Sequence, residues 1–153
     1  MKYDFVCDFN LDKCLENLGL NERGMVQQFV TNEVIRLSDP YVPMDEGTLK
    51  TSVHIANDTD VVWSTPYAHY QWGGKVWEDP KLKAAGFPIT DESGAVEGFR
   101  SRKGVVKVPT DRDLKYNHGV QDGGRRGPRW VERMLQDGGL KSIEDGARRM
   151  VRK

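Results

Sequence analysis

Three histidines, two cysteines and an equal number of acidic and basic side chains are the groups in this sequence that could carry chemistry. His54, His69 and His118 are isolated, and none has a second histidine at the spacing of a metal site. Cys7 and Cys14 are too few for a zinc site, and we expect buried or half-buried thiols. The sequence also lacks the H-E-x-x-H, Walker and G-x-S-x-G motifs. We therefore expect no catalysis, no metal and no cofactor.

The charges are unevenly distributed, although the chain has 23 basic and 23 acidic side chains in all. Residues 1–60 carry 11 acidic and 5 basic side chains, residues 61–98 carry 5 and 3, and residues 99–153 carry 7 and 15. The basic third could bind nucleic acid, could meet the acidic third of an identical neighbour, or could mix with the other charges after folding.

Four arginines are the best candidates for recognition of an anionic partner: Arg125, Arg126, Arg129 and Arg133. They surround the predicted start of the last helix, where they could simply be solvated. Cations at a helix N-terminus oppose the helix dipole. This unfavourable position favours an external acidic partner, and we predict that the four side chains lie at an interface.

An aromatic segment, TPYAHYQWGG at residues 65–74, places three rings and a histidine within ten positions. It could be a ligand cage, a base-stacking platform or a structural joint. Thr65 is a suitable N-cap, and Pro66 suits the first helical turn. Gly73 and Gly74 can take the left-handed conformation that ends a helix. Since stacking platforms usually lie on open sheet faces, we predict a two-turn helix whose rings hold it against the preceding hairpin.

The elements that must position these residues follow from the periodicity of the apolar side chains. Asn21 is a plausible N-cap for the second helix, which Asp39-Pro40 would end. Leu49, Val53 and Ile55 are predicted on one side of the first strand of a hairpin. The first half is predicted to contain a strand over residues 3–9, helices over 11–18 and 22–38, a β-hairpin over 49–64 that turns at 57–60, and a strand over 75–77.

A long segment rich in prolines, glycines and charges follows at residues 78–127. Its stretches at 86–101 and 103–110 could each form an extended arm or a hairpin. Long loops without structure of their own are uncommon in compact domains unless they are functional or disordered. We predict an extended excursion that leaves the core and becomes ordered against another molecule.

The chain then returns to a C-terminal helical region opened by Pro128. The apolar residues of its two halves would point to opposite sides of one rod, which favours a break at Gly138-Gly139 over a continuous helix. We predict an α+β fold for a single domain over residues 1–153, with its core at about 1–77 and 128–153. A small antiparallel or mixed sheet would be packed by an N-terminal and a C-terminal helix. The residues predicted in or near the core are Trp63, Trp72, Trp130 and Phe29.

Three short motifs, in this order, resemble those of the minor capsid and tail-completion proteins of tailed bacteriophages. The first motif is formed by Pro43, Asp45, Gly47, Leu49, Lys50 and Ser52. The second is formed by Tyr67, Ala68, Tyr70 and Gly73, preceded by Pro66. The third is formed by Pro128, Arg129 and Trp130. The resemblance covers roughly residues 21–77 and 128–152.

The resemblance implies a small non-enzymatic domain that forms a homo-oligomeric ring at the head–tail junction of a virion. The ring, hexameric or alternatively dodecameric, would join the connector or stopper proteins to the tail terminator or tail tube, with DNA only passing through its lumen. We expect assembly in the bacterial host cytoplasm. We expect no membrane partner, because no apolar stretch approaches the roughly 18 residues of a membrane span. The alternative is a nucleic-acid-binding module that uses residues 99–133.

Overall fold

The computed structural model describes residues 10–116 and 123–151. The strand predicted over residues 3–9 lies outside these ranges. The helices are α1 (Leu11–Asn17), α2 (Met25–Ser38), α3 (Thr48–Thr51), α4 (Ala68–Gly73), α5 (Trp130–Met134) and α6 (Leu140–Val151), and a 3₁₀ turn follows α2 at Asp39–Tyr41. The strands are β1 (Val53–Ala56), β2 (Asp60–Trp63), β3 (Lys75–Glu78), β4 (Phe87–Thr90), β5 (Val96–Arg100) and β6 (Val108–Asp113).

The α+β fold class is confirmed, but the described strands form three separate two-stranded antiparallel sheets rather than one sheet. β1 pairs with β2, and β4 pairs with β5, so both of these sheets join neighbours along the chain. β3 instead pairs with β6. After β3 the chain therefore forms the β4–β5 hairpin, and β6 then returns to pair with β3.

Helix α2 has Gly24 as its N-cap, so the prediction of Asn21 at this position is wrong. The Gly24 N–H donates to the Asn21 carbonyl at 2.8 Å, in a turn that precedes the helix. A Cβ at Gly24 would lie 2.0 Å from the Gly19 carbonyl oxygen, which explains why a glycine replaces a polar cap. The helix ends before Asp39-Pro40, as predicted.

The hairpin of β1 and β2 is confirmed, with Val53 opposite Trp63. Its turn places Asn57 and Asp58 in the left-handed region, at φ 49° and 65°, which these residue types tolerate. The prediction that Leu49 belongs to the first strand is wrong, because Leu49 lies in the single turn of α3 and packs into the core. The hairpin is therefore shorter than its apolar pattern indicated.

The core is centred on Trp130, which is 2% exposed. Its ring meets Trp63 of β2 in an edge arrangement with centroids 5.5 Å apart, and it meets Trp72 of α4 at 4.8 Å. Phe29 of α2 packs against α6, where a Cβ at Gly146 would lie 2.3 Å from the Phe29 ring. Trp130 lies in the core and Trp63 and Trp72 pack against it, as predicted, whereas Phe29 is half-buried against α6. The buried cluster comprises Tyr41, Val42, Leu49, Trp130, Met134 and Ile143.

The C-terminal helical region breaks where the sequence predicted. Asp137 and Gly138 leave helical geometry between α5 and α6, and Gly138 takes φ 98°, a conformation that favours glycine. The break lets both helices turn an apolar face to the same core, because Met134 of α5 and Ile143 of α6 belong to one cluster.

An ion pair between the buried Asp79 and the half-buried Arg102 closes the base of the β4–β5 hairpin. The Asp79 carboxylate accepts two hydrogen bonds of 2.6 Å from the Arg102 guanidinium. It also accepts hydrogen bonds from the N–H groups of Lys81 and Leu82. The bonds from Arg102, followed by those from the main chain, hold the pKa of the Asp79 carboxyl well below its usual range. Since Asp79 precedes the hairpin and Arg102 follows it, the pair fixes where the hairpin leaves the fold.

Candidate functional site

The first two sequence motifs face each other across an open groove of about 380 Å³, which we call the motif groove. Residues 43–49 line one part of it, and Tyr67 and Gln71 line another. Lys115 and Tyr116, from the stretch after β6, complete the lining. The fold therefore brings three distant parts of the sequence together at one surface.

The motif groove carries solvated charges. Asp45 and Glu46 are exposed, and within the described ranges neither carboxylate makes an ion pair or a hydrogen bond. The Tyr116 hydroxyl donates to the Gln71 carbonyl at 2.7 Å, and burial, reinforced by the negative charge of Asp113, raises the pKa of Tyr116 to about 12. The phenol thus remains a hydrogen-bond donor at neutral pH. Asp45 and Glu46 outnumber Lys115, the single basic side chain among the described residues that line the groove, so the groove is weakly acidic.

Most residues of the first motif shape the loop around the groove. Pro43 and Leu49 are buried. Gly47 has φ 88° and is the N-cap of α3, so the loop needs a residue without a Cβ here. The Ser52 hydroxyl donates to the Leu49 carbonyl at 2.8 Å and closes α3. Asp45 differs from the others because its side chain is exposed.

The aromatic segment forms α4, but its predicted start at Thr65 and Pro66 is wrong. The helix begins at Ala68, and its N-cap, Tyr67, makes no side-chain capping bond. The preceding residues form a turn in which the Ala68 N–H donates to the Thr65 carbonyl at 3.0 Å. Gly74 ends the helix in the left-handed conformation, at φ 71°, as predicted.

Main-chain and ring contacts support the interpretation of this segment as a structural joint. The Arg129 N–H donates to the Trp72 carbonyl at 3.2 Å, and the Trp72 ring packs edge-on against Trp130. Pro128 lies so close to Gly74 that a Cβ there would be 2.8 Å from the proline ring. The second and third motifs therefore meet in direct contact.

Two other rings of the segment face β3 rather than the preceding hairpin. The Tyr70 ring centroid lies 5.2 Å from that of Trp77, and the His69 centroid lies 6.3 Å from it. Trp72 is linked to the hairpin through Trp130. The prediction that the rings hold α4 directly against the hairpin is thus corrected, because Tyr70 and His69 pack on the strand that follows.

The four arginines of the predicted interface have different surroundings. Arg126 is buried and donates to a main-chain carbonyl of the core. Arg125 and Arg133 each place a guanidinium 5.9 Å from the centroid of the Tyr41 ring, which is within cation–π range. Arg125 and Arg129 are exposed and Arg133 is half-buried. The surface cluster accordingly consists of these three arginines.

The described part of the chain holds no group of three or more His, Cys, Asp and Glu side chains that could bind a metal ion. His54 is exposed on β1, and His69 packs on Trp77. Cys14 is half-buried with a free thiol. His118 and Cys7 lie outside the described residues. Among the helices of the described ranges, none is both long and apolar enough to cross a membrane.

Several residues that build these surfaces were missed by sequence reasoning. Tyr41 lies in the core between two arginines, and its position in a short apolar pair flanked by prolines was a usable signal. The Asp79-Pro80 dipeptide is a turn signal, yet nothing local indicated that Arg102 would pair with Asp79. The contact between Tyr116 and Gln71 likewise depends on long-range packing.

Comparison with known proteins agrees with the first two motifs. A family model described as a minor capsid protein matches residues 17–94, just over half of the chain. The match includes α2 and the first two motifs, whereas the third motif, at residues 128–130, lies outside it. No curated protein and no solved structure matches the chain.

Proposed function

The chain belongs to the minor capsid protein family, which makes it a structural protein of a phage virion, and from this premise we propose that copies of it form a closed ring at the head–tail junction. In this role it is a neck or tail-completion component. It joins the connector or stopper on the head side to the tail terminator or tail tube on the other.

The observation that carries the proposal is the presence of two exposed surfaces of opposite charge on one chain. The motif groove presents Asp45 and Glu46 without partners in the described ranges. Arg125 and Arg129 are exposed beside the start of α5, where Arg129 also pairs with the exposed Glu132 at 3.5 Å. Complementary charges at different patches of identical subunits favour head-to-tail association, which closes into a ring when the rotation between subunits closes.

The work of such a ring is mechanical. It binds its neighbours, seals the junction and leaves a channel through which DNA passes. We propose no catalytic step for any residue. The exposed carboxylates and arginines act by binding neighbouring subunits.

Two measurements test the proposal. Sedimentation velocity and negative-stain electron microscopy of the purified chain should show closed rings, and immunogold labelling of virions should place the protein at the head–tail junction. The double charge reversal Arg125→Glu with Arg129→Glu should weaken assembly at low salt. Arg23→Glu, at an exposed position beside Asp58, is the matched control and should assemble normally. Gold particles distributed over the capsid shell, or a chain that stays monomeric with virion partners, would contradict the proposal.

A nucleic-acid-binding role for residues 99–133 is the second candidate, and the structure reduces its support. Arg102 is bound to Asp79 and Arg112 pairs with Glu78, while Arg126 is buried. Fewer cations therefore remain to contact phosphates. Tight binding of random DNA at physiological salt, with an affinity that falls steeply as salt rises, would favour this candidate over the ring.

A further inference from the structure

The hairpin of β4 and β5, residues 87–100, presents large apolar side chains to solvent, and we call it the hairpin arm. Its four large apolar side chains are between 41% and 54% exposed: Phe87, Ile89, Val96 and Phe99. The pairing register places Phe87 and Ile89 on one face of the hairpin arm and Phe99 on the other, because Phe99 is opposite Pro88. An isolated two-stranded hairpin is at best marginally stable in water, and exposed apolar side chains that lie together mark interaction surfaces. Each face of the hairpin arm therefore offers an exposed phenylalanine to a covering surface.

The hairpin arm is held in a defined conformation at both ends. The ion pair of the buried Asp79 with the half-buried Arg102 closes its base. At its tip, the Asp91 carboxylate accepts hydrogen bonds from the Ser93 N–H and hydroxyl and from the Ala95 N–H, at 2.7 to 2.9 Å. Because the backbone is already ordered, binding through the hairpin arm loses little conformational entropy.

The hairpin arm is acidic as well as apolar. Asp91, Glu92 and Glu97 are exposed on it, and Arg100 is its single basic residue. A complementary surface would therefore combine an apolar recess with a basic rim.

The same chain carries such a surface, an open groove of about 300 Å³ that we call the tyrosine groove. Tyr41 and Met134 are buried beneath it, and Leu37 adds a further apolar wall. Arg36 and Arg125, which are both exposed, line the groove together with Asp137, and Arg36 also binds the Glu33 carboxylate. Its volume is at the lower end of the range for small-ligand pockets, which is enough to hold one aromatic side chain.

We propose that the hairpin arm of one copy docks into the tyrosine groove of a second copy, with the ring of Phe87 or Phe99 in the groove and the acidic side chains at the arginine rim. No described residue of the hairpin arm lines the tyrosine groove of its own chain. Both halves of the contact lie on one chain at different patches, so the contact is head-to-tail and can repeat around a ring. The inference rests on the proposed self-assembly, assigns Arg125 to the hairpin arm of the neighbouring copy and leaves Arg129 to face the motif groove.

The test uses one variant on each side of the contact. Phe87→Ser with Phe99→Ser removes the rings of the hairpin arm, and Ser142→Glu places a carboxylate in the tyrosine groove, which Ser142 lines. The matched control is Met25→Ser, which removes an exposed apolar side chain at the start of α2. Each variant should weaken self-association at least about tenfold in sedimentation velocity, while the control associates as the unmodified chain does.

Mixing the two variants gives the decisive result. One partner then offers an intact groove and the other an intact hairpin arm, so an equimolar mixture should form a dimer with one copy of each. A mixture that stays monomeric would overturn the pairing of arm and groove. Unchanged assembly of the arm variant would overturn the inference and leave the ring proposal standing. A monomeric unmodified chain would overturn both, and open filaments would support the docking while contradicting the closed ring.

A second variant addresses the possibility that loss of the rings unfolds the hairpin arm. Glu92→Lys with Glu97→Lys changes only exposed side chains. This variant should assemble more weakly than the unmodified chain at low salt. The difference should disappear at high salt, because salt screens the attraction between the hairpin arm and the arginine rim. Assembly of this variant equal to that of the unmodified chain at low salt would count against the arginine rim as the docking site.

Discussion

Replacement of Trp130 by alanine is the most direct test of how the three motifs are held together. Trp130 is buried at the start of α5, and its ring contacts both Trp63 of the first hairpin and Trp72 of the aromatic segment. Removal of this ring leaves a cavity between three parts of the chain. The structure therefore predicts a large loss of stability from a residue that lines neither groove.

The magnitude follows from the burial and the ring geometry. A buried tryptophan replaced by alanine costs about 3 to 5 kcal/mol, and each edge-on aromatic pair contributes about 0.5 to 1.5 kcal/mol within that loss. We expect Trp130→Ala to lower the free energy of unfolding by about 4 kcal/mol. At about 2 to 4 °C per kcal/mol for a chain of this size, the melting temperature should fall by about 8 to 16 °C.

The matched variant is Trp130→Phe, which keeps one ring in the core. The indole N–H of Trp130 is buried without a hydrogen-bond acceptor in the described ranges, so its removal relieves a desolvation cost. We expect a loss about half as large as that for alanine. Urea unfolding followed by circular dichroism measures both variants, and Trp130→Ala with Trp72→Ala in a double-mutant cycle isolates the pair. A loss below about 1.5 kcal/mol for Trp130→Ala would refute the assignment of this residue as the centre of the core.

Three further predictions concern single features of the backbone and side chains. Gly47→Ala should lower the free energy of unfolding by about 1 to 2 kcal/mol, because φ is 88° at this position. Gly73→Ala is the control, since no atom lies near its Cβ position, and it should leave urea unfolding unchanged. Equal effects of the two substitutions would contradict backbone strain at Gly47. Tyr116→Phe should cost about 1 kcal/mol by loss of the bond to the Gln71 carbonyl, and an unchanged melting temperature would contradict that role. The pKa of Asp79 is lowered in the folded state, so its contribution is present above the unfolded pKa of about 4 and is lost as pH falls through the folded value. The unmodified chain should therefore lose more stability below about pH 4 than Asp79→Asn does, and parallel pH profiles for the two proteins would contradict this.

The features that the sequence could predict are those that local periodicity and turn chemistry determine. The hairpin of β1 and β2 follows from alternating apolar residues and an Asn-Asp turn, and the break at Gly138 follows from two apolar faces that cannot share one rod. The burial of Trp130 was expected because this large aromatic residue begins an amphipathic helix. Each of these signals lies within a few residues of the feature that it predicts.

The features that escaped prediction depend on contacts between distant residues. Leu49 continues the apolar pattern of the strand, yet the left-handed Gly47 turns its segment into α3 instead. The pairing of β3 with β6 spans the whole hairpin arm, and periodicity alone cannot select that partner. Arg126 resembled its exposed neighbours in sequence, but the folded chain buries it against the core. The motif groove could therefore be predicted only in part, because tertiary packing brings its lining residues together.

The division of the strands into three two-stranded sheets has a consequence for aggregation. Every described strand is an edge strand, with backbone groups available to a stray chain. Pro88 and Pro109 interrupt the ladders of β4 and β6, and irregular registers after Lys75 and Ile89 bend their sheets. These interruptions hinder strand-by-strand growth into fibrils at the β3–β6 and β4–β5 sheets.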